Sequence, residues 1–360
     1  MVRAGEVMEK GRGAAGNPPN RFEQLHAEPF EVDVPYDDDR PPVKTVFLDD
    51  RSKSILAKND SPDIPFTYSL NPYRGCEHGC IYCYARPSHE YLGFSAGLDF
   101  ESRIMVKRSA PLLLRQELLS PRWIPQVVEM CGNTDCYQPV ERVLRLTRGC
   151  LEVFLELRNP VAMITKNALV TRDIDLLASL ARDRLVHVAL SITTLDEKLA
   201  RIMEPRTSSP RRRLEAVRML SAAGVPTSVA VAPVIPGLTD EEIPSILREA
   251  AGHGASSATY SVLRLPGAVE GLFSSWIIRA LPDRANKILE RVRAMHAGSL
   301  SDSRFGKRMR GEGSVASVIE DLFSLTAKKL GLASPRGELD ASKFIKSSSP
   351  QLDFFGDRRP

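Results

Sequence analysis

Three cysteines lie within eight consecutive residues, Cys76, Cys80 and Cys83, in the spacing Cys-x3-Cys-x2-Cys. The whole chain has six cysteines in 360 residues, too few for a disulfide scaffold, so cysteines this closely spaced indicate metal binding. Three thiolates can wrap one face of a cubane iron–sulfur cluster and leave its fourth iron for a small molecule. Gly75 and Gly79 allow the backbone to turn tightly around such a cluster.

Two other interpretations of these cysteines are open. A zinc ion could be held by the three thiols together with His78 or His89. Structural zinc sites usually use two separated pairs of ligands, however, and the sequence has no second Cys-x2-Cys pair. The thiols could also be unliganded, which their crowding disfavours. We therefore predict a [4Fe–4S] cluster on Cys76, Cys80 and Cys83, with zinc as the alternative.

Short apolar runs alternate six times with amphipathic helical stretches, a pattern that predicts parallel strands joined by right-handed crossover helices. A doubly wound sheet would fit the same alternation. The cysteines and other polar motifs follow the strands directly, as catalytic loops do in barrels. We therefore expect an α/β fold, a partial (β/α)6 barrel of the TIM type. The predicted strands are residues 66–70, 126–130, 161–165, 185–193, 227–234 and 258–265.

Composition divides the chain into four parts. Residues 1–60 are predicted to be an extended, partly disordered lead-in, 61–300 the core, 301–335 a helical extension, and 336–360 a flexible tail. No run approaches the roughly 18 apolar residues that span a bilayer, and the N-terminus lacks the apolar region of a secretory signal. We therefore expect a cytoplasmic protein with no membrane partner.

The cysteine loop, residues 71–86, resembles the signature of the radical S-adenosylmethionine (SAM) superfamily, Cys-x3-Cys-x-aromatic-Cys. Residues 54–63, 85–91 and 134–141 resemble its spore photoproduct lyase-like branch, which includes members of unassigned substrate. The resemblance implies an enzyme with a [4Fe–4S] cluster whose unique iron binds SAM. It also implies reductive cleavage of SAM to a 5′-deoxyadenosyl radical, which abstracts hydrogen from the substrate. The electron would come from a flavodoxin- or ferredoxin-type donor.

The resemblance also implies residues that bind SAM. Tyr82 matches the family aromatic near the adenine, and Gly132, Asn133 and Thr134 stand where many members have a Gly-Gly-Glu-like segment for the SAM amino group. Asp135 beside them would either share that role or cap the next helix.

Two strand-end residues complete the implied SAM site. Lys166 would bind the SAM carboxylate and Ser191 would contact SAM. Taken without the family, Lys166 also fits a snorkelling surface lysine and Ser191 an ordinary strand serine.

Cys131 resembles in position the cysteine that donates hydrogen in spore photoproduct lyase. A thiol can return a hydrogen atom to a substrate radical because its S–H bond is comparatively weak. We predict Cys131 as the catalytic residue, with a buried structural cysteine as the alternative.

Two further features bear on partners. Residues 304–311 form a basic run around Phe305 that fits either nucleic-acid phosphates or a solvated surface, and the net charge of +4 decides neither. The tail resembles a peptide that docks on the sliding clamp through apolar anchors; the alternative is a tail helix that packs Phe354 and Phe355 onto the core. Together with the family branch and this tail, the basic run favours a nucleotide lesion in DNA as substrate. The alternatives are a zinc-stabilised nucleic-acid-binding module without catalysis and a clamp-tethered adaptor. The clamp-like peptide is Gln351, Leu352, Asp353, Phe354 and Phe355.

Overall fold

A computed structural model describes residues 11–22, 43–334 and 337–346 of the chain. The described strands are β1 (Val46–Asp49), β2 (Leu56–Lys58), β3 (Tyr68–Leu70), β4 (Tyr73–Arg74), β5 (Arg103–Val106), β6 (Val128–Met130), β7 (Val161–Thr165), β8 (Val186–Ser191), β9 (Thr227–Val234) and β10 (Ser257–Val262). The described α-helices are α1 (Leu98–Ser102), α2 (Ala110–Leu119), α3 (Glu141–Leu144), α4 (Leu146–Leu157), α5 (Ile174–Arg182), α6 (Glu197–Met203), α7 (Pro210–Ala222), α8 (Ile243–Gly252), α9 (Ala268–Ala280), α10 (Pro282–Met295) and α11 (Gly313–Lys329).

The main sheet has the order β10-β9-β8-β7-β6-β3-β2. Its strands β3, β6, β7, β8, β9 and β10 are all parallel, and β2 pairs antiparallel with β3 at one edge. The parallel strands follow chain order without a reversal, so the winding is single, whereas a doubly wound sheet reverses at a switch point. The predicted α/β fold and its partial (β/α)6 arrangement are confirmed, with β2 and β10 as open edges.

The central strands are buried on both faces. All six residues of β8 are buried, as expected for a parallel strand covered by helices on one side and the barrel interior on the other. The larger apolar core contains side chains such as Phe154, Leu180, Leu220 and Leu247 from the crossover helices. A second core joins α9 and α10 to the cysteine loop through residues such as Trp276. The loop is therefore packed against the C-terminal helices as well as the sheet.

A single amphipathic helix, which the sequence pattern predicts over residues 140–158, is interrupted at one point. It is divided into α3 and α4 by Arg145, whose φ of 52° is left-handed. The break lets the Glu141 carboxylate accept hydrogen bonds from the Tyr73 hydroxyl and from the Thr147 N–H. A tertiary contact to the strand before the cysteine loop thus overrides a helical sequence pattern.

A small second sheet flanks the cysteine loop. Strand β5 pairs parallel with β1 and antiparallel with β4, and β4 ends two residues before Cys76. Helix α11, in the region predicted as a helical extension, packs against α8 and α10. No helix within the described ranges is both long and apolar enough to cross a membrane.

Residues 11–22, which we call the N-terminal segment, lie against the cysteine loop. The Arg12 guanidinium donates to the Glu101 carbonyl at 2.6 Å, and the N–H groups of Gly13 and Ala14 each donate to the Glu101 carboxylate at 2.9 Å. The fit leaves no room for a side chain, because a Cβ on Gly13 would lie 1.8 Å from the Gly79 carbonyl oxygen. The segment is therefore a fixed part of the site.

We expect Gly13→Ala to lower the melting temperature of the cluster-free protein, because its methyl group forces the N-terminal segment off the cysteine loop. Overpacking of this kind costs about 1–3 kcal/mol. Gly271→Ala is the matched control, since Gly271 is exposed in α9 and a Cβ there meets nothing within 4 Å. The control should be as stable as wild type or more so. Equal melting temperatures for the two variants would show that the segment is not fixed as described.

Candidate active site

A cavity of about 240 Å³ opens where the parallel strands end. Its wall is made by the cysteine loop and by residues at or after the carboxyl ends of β6, β7, β8, β9 and β10. Every residue that the sequence predicted for the site lines this cavity. They are Cys76, Cys80, Tyr82, Cys83, Cys131, Gly132, Asn133, Thr134, Lys166 and Ser191.

The cysteine loop turns at its two glycines. Gly75 has a φ of 81° and Gly79 a φ of 68°, both in the left-handed region that L side chains rarely adopt. Close approach also excludes side chains, because a Cβ on Gly79 would lie 2.7 Å from a Glu101 carboxylate oxygen. The Cys76 N–H donates to the Phe100 carbonyl at 2.9 Å. The expected tight turns around the three thiols are therefore present.

A buried ion pair fixes the middle of the cysteine loop. Arg86 donates from Nε and Nη2 to the Cys80 carbonyl at 3.1 and 3.0 Å, and from Nη1 to the carbonyls of Ala96 and Gly97. Its charge is compensated by Glu101, and both side chains are fully buried. The backbone of a predicted metal ligand is thus held by a charged donor rather than by the loop alone.

The donor set fits a metal cluster. Burial raises the pKa of all three thiols, Cys76, Cys80 and Cys83, and neighbouring thiols or carboxylates raise it further at Cys76 and Cys80. Buried thiols of this kind become thiolates when a metal replaces their protons and compensates the charge. The arrangement offers three sulfurs at one cavity wall, as a cluster with one open iron requires.

The two histidines considered as a fourth zinc ligand are engaged elsewhere. His78 places Nδ1 3.3 Å from the Asp135 carboxylate and Nε2 3.2 Å from the side-chain nitrogen of Asn167. His89 is not part of the cavity wall, and its Nε2 lies 2.9 Å from the Arg103 carbonyl. The geometry therefore favours the cluster over a zinc site with a histidine ligand.

The segment after β6 is bound to the cysteine loop. The Asn71 side-chain oxygen accepts from the N–H groups of Asn133 and Thr134 at 3.0 and 3.1 Å. The Tyr84 hydroxyl donates to the Gly132 carbonyl at 2.6 Å. Because these backbone N–H groups already have a partner, the segment offers mainly oxygen acceptors to a ligand.

Asp135 fixes the end of β7. Its carboxylate accepts from the Lys166 N–H at 2.8 Å, from the Thr165 hydroxyl at 2.8 Å, and from the Tyr137 N–H at 2.9 Å. Burial alone would raise the pKa of Asp135, but His78 and these hydrogen bonds together lower it. The carboxylate thus positions the backbone of Lys166.

Lys166 points into a buried polar network. Its Nζ donates to the Ser191 hydroxyl at 2.6 Å, the Thr193 hydroxyl at 3.1 Å and the Ala232 carbonyl at 2.9 Å, and lies 3.3 Å from the Glu204 carboxylate. The side chain is therefore neither a free cation nor a snorkelling surface lysine. Its charge is compensated in the absence of any ligand.

Sequence reasoning missed Glu204 and Arg213. The Glu204 carboxylate binds the Arg213 guanidinium and accepts the Tyr82 hydroxyl proton in a hydrogen bond, so it joins α7 to the cysteine loop. A signal was available, since Arg213 lies on the same helical face as Val217 and a buried arginine needs a carboxylate. Arg206, two residues after Glu204, pairs with Glu77 at 3.3 Å.

Cys131 forms a disulfide with Cys136. Cys131 lies on the cavity wall with a φ of 74°, and Cys136 is fully buried behind it. A disulfide has no S–H bond, so hydrogen donation by Cys131 requires the reduced pair. Cys150 is a buried free cysteine in α4.

An open singly wound sheet with three cysteines after its first parallel strand defines a class of enzyme. Residues 70–250 match the radical SAM superfamily, and the chain belongs to that superfamily. An uncharacterised protein of Mycobacterium tuberculosis is 39% identical over 244 residues, which make up 67% of this chain and 72% of that protein. The radical SAM Nα-GlyT isomerase of Pseudomonas phage M6 is 24% identical over 189 residues, 51% of this chain and 36% of the phage protein.

Solved structures of spore photoproduct lyase share the fold. The complex with dinucleoside spore photoproduct superposes with a TM-score of 0.57 at 17% identity, covering 79% of each chain. A variant of the same lyase with bound AdoMet, that is SAM, and the same dinucleoside has a TM-score of 0.58 at 18% identity, also over 79% of each chain. The likeness to spore photoproduct lyase expected from the sequence is confirmed at the level of the fold, and the chain is a radical SAM enzyme.

We expect Cys76→Ala, Cys80→Ala and Cys83→Ala each to prevent full cluster binding, because each substitution removes one of the three predicted thiolate ligands. Iron, acid-labile sulfide and visible absorption after anaerobic reconstitution measure the effect. Cys150→Ala is the matched control, since Cys150 is a free buried cysteine distant in sequence from the loop. Full iron content in any of the three loop variants would contradict the assignment of that ligand.

Glu204 should make the stability of the cluster-free protein depend on pH. Burial opposes its ionisation, but the charges of Arg213 and Lys166 outweigh burial and hold the pKa of Glu204 well below its usual range. The resulting stabilisation is complete above the unfolded pKa of about 4.3 and is lost as pH falls through the folded pKa. Glu204→Gln should cost about 3–5 kcal/mol at neutral pH, and less on acidification.

Melting temperatures of wild type and Glu204→Gln between neutral pH and about pH 2, well below the unfolded pKa, measure this difference. Glu215→Gln removes a carboxylate from an exposed pair with Arg218 and is the matched control, because such pairs contribute little. A Glu204→Gln deficit that does not shrink on acidification would refute the role of its ionised carboxylate.

Proposed function

We propose that this enzyme uses a [4Fe–4S] cluster and SAM to generate a radical that abstracts hydrogen from a nucleotide lesion in DNA. The observation that carries the proposal is the shared cavity wall of Cys76, Cys80, Cys83 and the predicted SAM-binding residues. The cluster, held by these three cysteines, would supply the electron that cleaves SAM to the 5′-deoxyadenosyl radical. The electron would reach the protein from a flavodoxin- or ferredoxin-type donor.

The chain's own residues would bind and orient SAM. Lys166 would exchange part of its contact with Glu204 and Ser191 for the SAM carboxylate, which restores charge balance at the same nitrogen. The carbonyl oxygens of the Gly132–Asn133–Thr134 segment would accept from the SAM amino group, since two of its N–H groups are occupied by Asn71. The buried Tyr82 ring, whose hydroxyl is fixed by Glu204, would support the adenine.

Cys131 would act after hydrogen abstraction. Cys131 lines the cavity and is bonded to Cys136 in a disulfide, so reduction of this disulfide would have to come first. The Cys131 thiol would then give its hydrogen atom to the substrate radical and keep the unpaired electron as a thiyl radical.

Two observations support a nucleotide substrate. Spore photoproduct lyase, which shares the fold, binds a dinucleoside spore photoproduct. In addition, the basic run 304–311 lies at the cavity, where Met309 lines the wall and its carbonyl accepts the Val262 N–H at 3.1 Å. The clamp-like peptide, residues 351–355, lies outside the described residues and stays a proposal, as does a clamp-tethered adaptor.

The proposal is tested by anaerobic reconstitution with iron and sulfide, followed by dithionite reduction with SAM and an assay for 5′-deoxyadenosine. We expect nucleoside formation in wild type, none in Cys76→Ala, Cys80→Ala or Cys83→Ala, and retention in Cys131→Ala, because Cys131 acts after SAM cleavage. Ultraviolet-damaged DNA should increase turnover over undamaged DNA. One zinc per chain, no cluster and no nucleoside would replace this proposal with the zinc-stabilised nucleic-acid-binding module.

A further inference from the structure

Arg264 lies on the cavity wall just after β10. Its neighbours Leu263 and Leu265 are fully buried in the core formed with α9 and α10, while Arg264 faces the cavity. The guanidinium donates to the Met309 sulfur at 3.3 Å and lies 5.5 Å from the centre of the Tyr84 ring. This part of the cavity wall is therefore a half-buried guanidinium with a sulfur and an aromatic ring beside it.

The charge of Arg264 has no carboxylate partner within ion-pair distance among residues 11–22, 43–334 and 337–346. Asp63 is the carboxylate whose charge acts on Arg264. It already has partners, because it pairs with Arg308 Nε at 2.6 Å and accepts the Gly306 N–H at 2.7 Å. The other cation in the cavity wall, Lys166, has a carboxylate of its own. Arg264 is thus the wall cation whose charge a ligand would have to compensate.

Desolvation makes such a site selective for anions. Burial, followed by the nearby charge of Arg308, lowers the pKa of Arg264, which reflects the cost of keeping this cation away from water. An oxyanion would offset that cost, and the planar guanidinium fork binds phosphate through two parallel hydrogen bonds. A sulfur atom and an aromatic ring give no comparable compensation.

We propose that Arg264 binds a phosphate of the substrate and thereby selects phosphorylated nucleosides for the cavity. This inference rests on the proposed function, in which the phosphate is the phosphodiester next to the reacting nucleoside of DNA. The run 304–311 beside it carries two further cations. Lys307 pairs with Glu312 at 3.4 Å, and the Arg310 guanidinium lies over the Tyr260 ring, 4.3 Å from its centre. Neighbouring phosphates of a polynucleotide would meet these side chains.

The test is equilibrium binding to reconstituted holoenzyme with SAM and without reductant, so that no turnover is needed. The probe is a fluorescein-labelled single-stranded oligothymidylate, together with the same oligomer carrying one neutral methylphosphonate at its central linkage. We expect Arg264→Gln to weaken binding of the charged oligomer about ten- to a hundredfold, as loss of a charge-assisted contact does. The neutral linkage should weaken wild type similarly and Arg264→Gln much less. Arg264→Lys should recover only part of the loss, because lysine lacks the planar fork.

Arg212→Gln is the matched control, because Arg212 is an exposed arginine in α7. A third outcome is that thymidine monophosphate binds in an Arg264-dependent way and the oligomer does not bind. That outcome would support phosphate recognition by Arg264 and overturn the polynucleotide as the source of the phosphate. Equal binding of the oligomer by wild type and Arg264→Gln would overturn the inference while leaving a DNA substrate intact. An equal loss of SAM affinity in Arg264→Gln would overturn it too, by placing the guanidinium on the cofactor. A failure of SAM cleavage in the deoxyadenosine assay would instead count against the proposed function, and the binding result would remain readable.

Discussion

The buried pair of Arg86 and Glu101 is the interaction on which the geometry of the site depends. Arg86 donates two hydrogen bonds to the Cys80 carbonyl, and the Glu101 carboxylate accepts hydrogen bonds from the N–H groups of Gly13 and Ala14. Because an unpaired buried charge costs several kcal/mol, neither side chain can leave without the other. The cysteine loop, α1 and the N-terminal segment are therefore coupled, although the N-terminal segment lies far from the other two in sequence.

Charge balance divides the cavity into two kinds of group. Glu204 and Asp135 have cationic or N–H partners, and Lys166 has Glu204, so this part of the wall is preorganised without a ligand. The loop thiols and Arg264 are different. A metal that replaces the thiol protons would compensate the thiolate charges, and a bound anion would compensate the charge of the Arg264 guanidinium. A metal cluster on the thiols and an oxyanion at Arg264 are the complements that this distribution of charge calls for.

Local patterns made much of this structure predictable. The strands, most crossover helices and the cysteine spacing depend on residues a few positions apart, where hydrophobic period and ligand spacing are visible. The small sheet was missed because β1, β4 and β5 have only two to four residues each, too few to show a period. Arg145 broke a predicted helix because Glu141 found partners elsewhere in the fold. Buried ionic partners such as Glu204 with Arg213 became visible only once tertiary contacts placed them together.

The N-terminal segment has a consequence for the order of events during synthesis. Gly13 and Ala14 leave the ribosome early, yet their partner Glu101 follows almost ninety residues later, and the cavity wall is incomplete until Met309 has emerged. The three thiols are thus exposed on the nascent chain long before the fold can bury them. A nascent chain whose thiols are oxidised in this interval would lack the three free sulfurs that the folded loop presents.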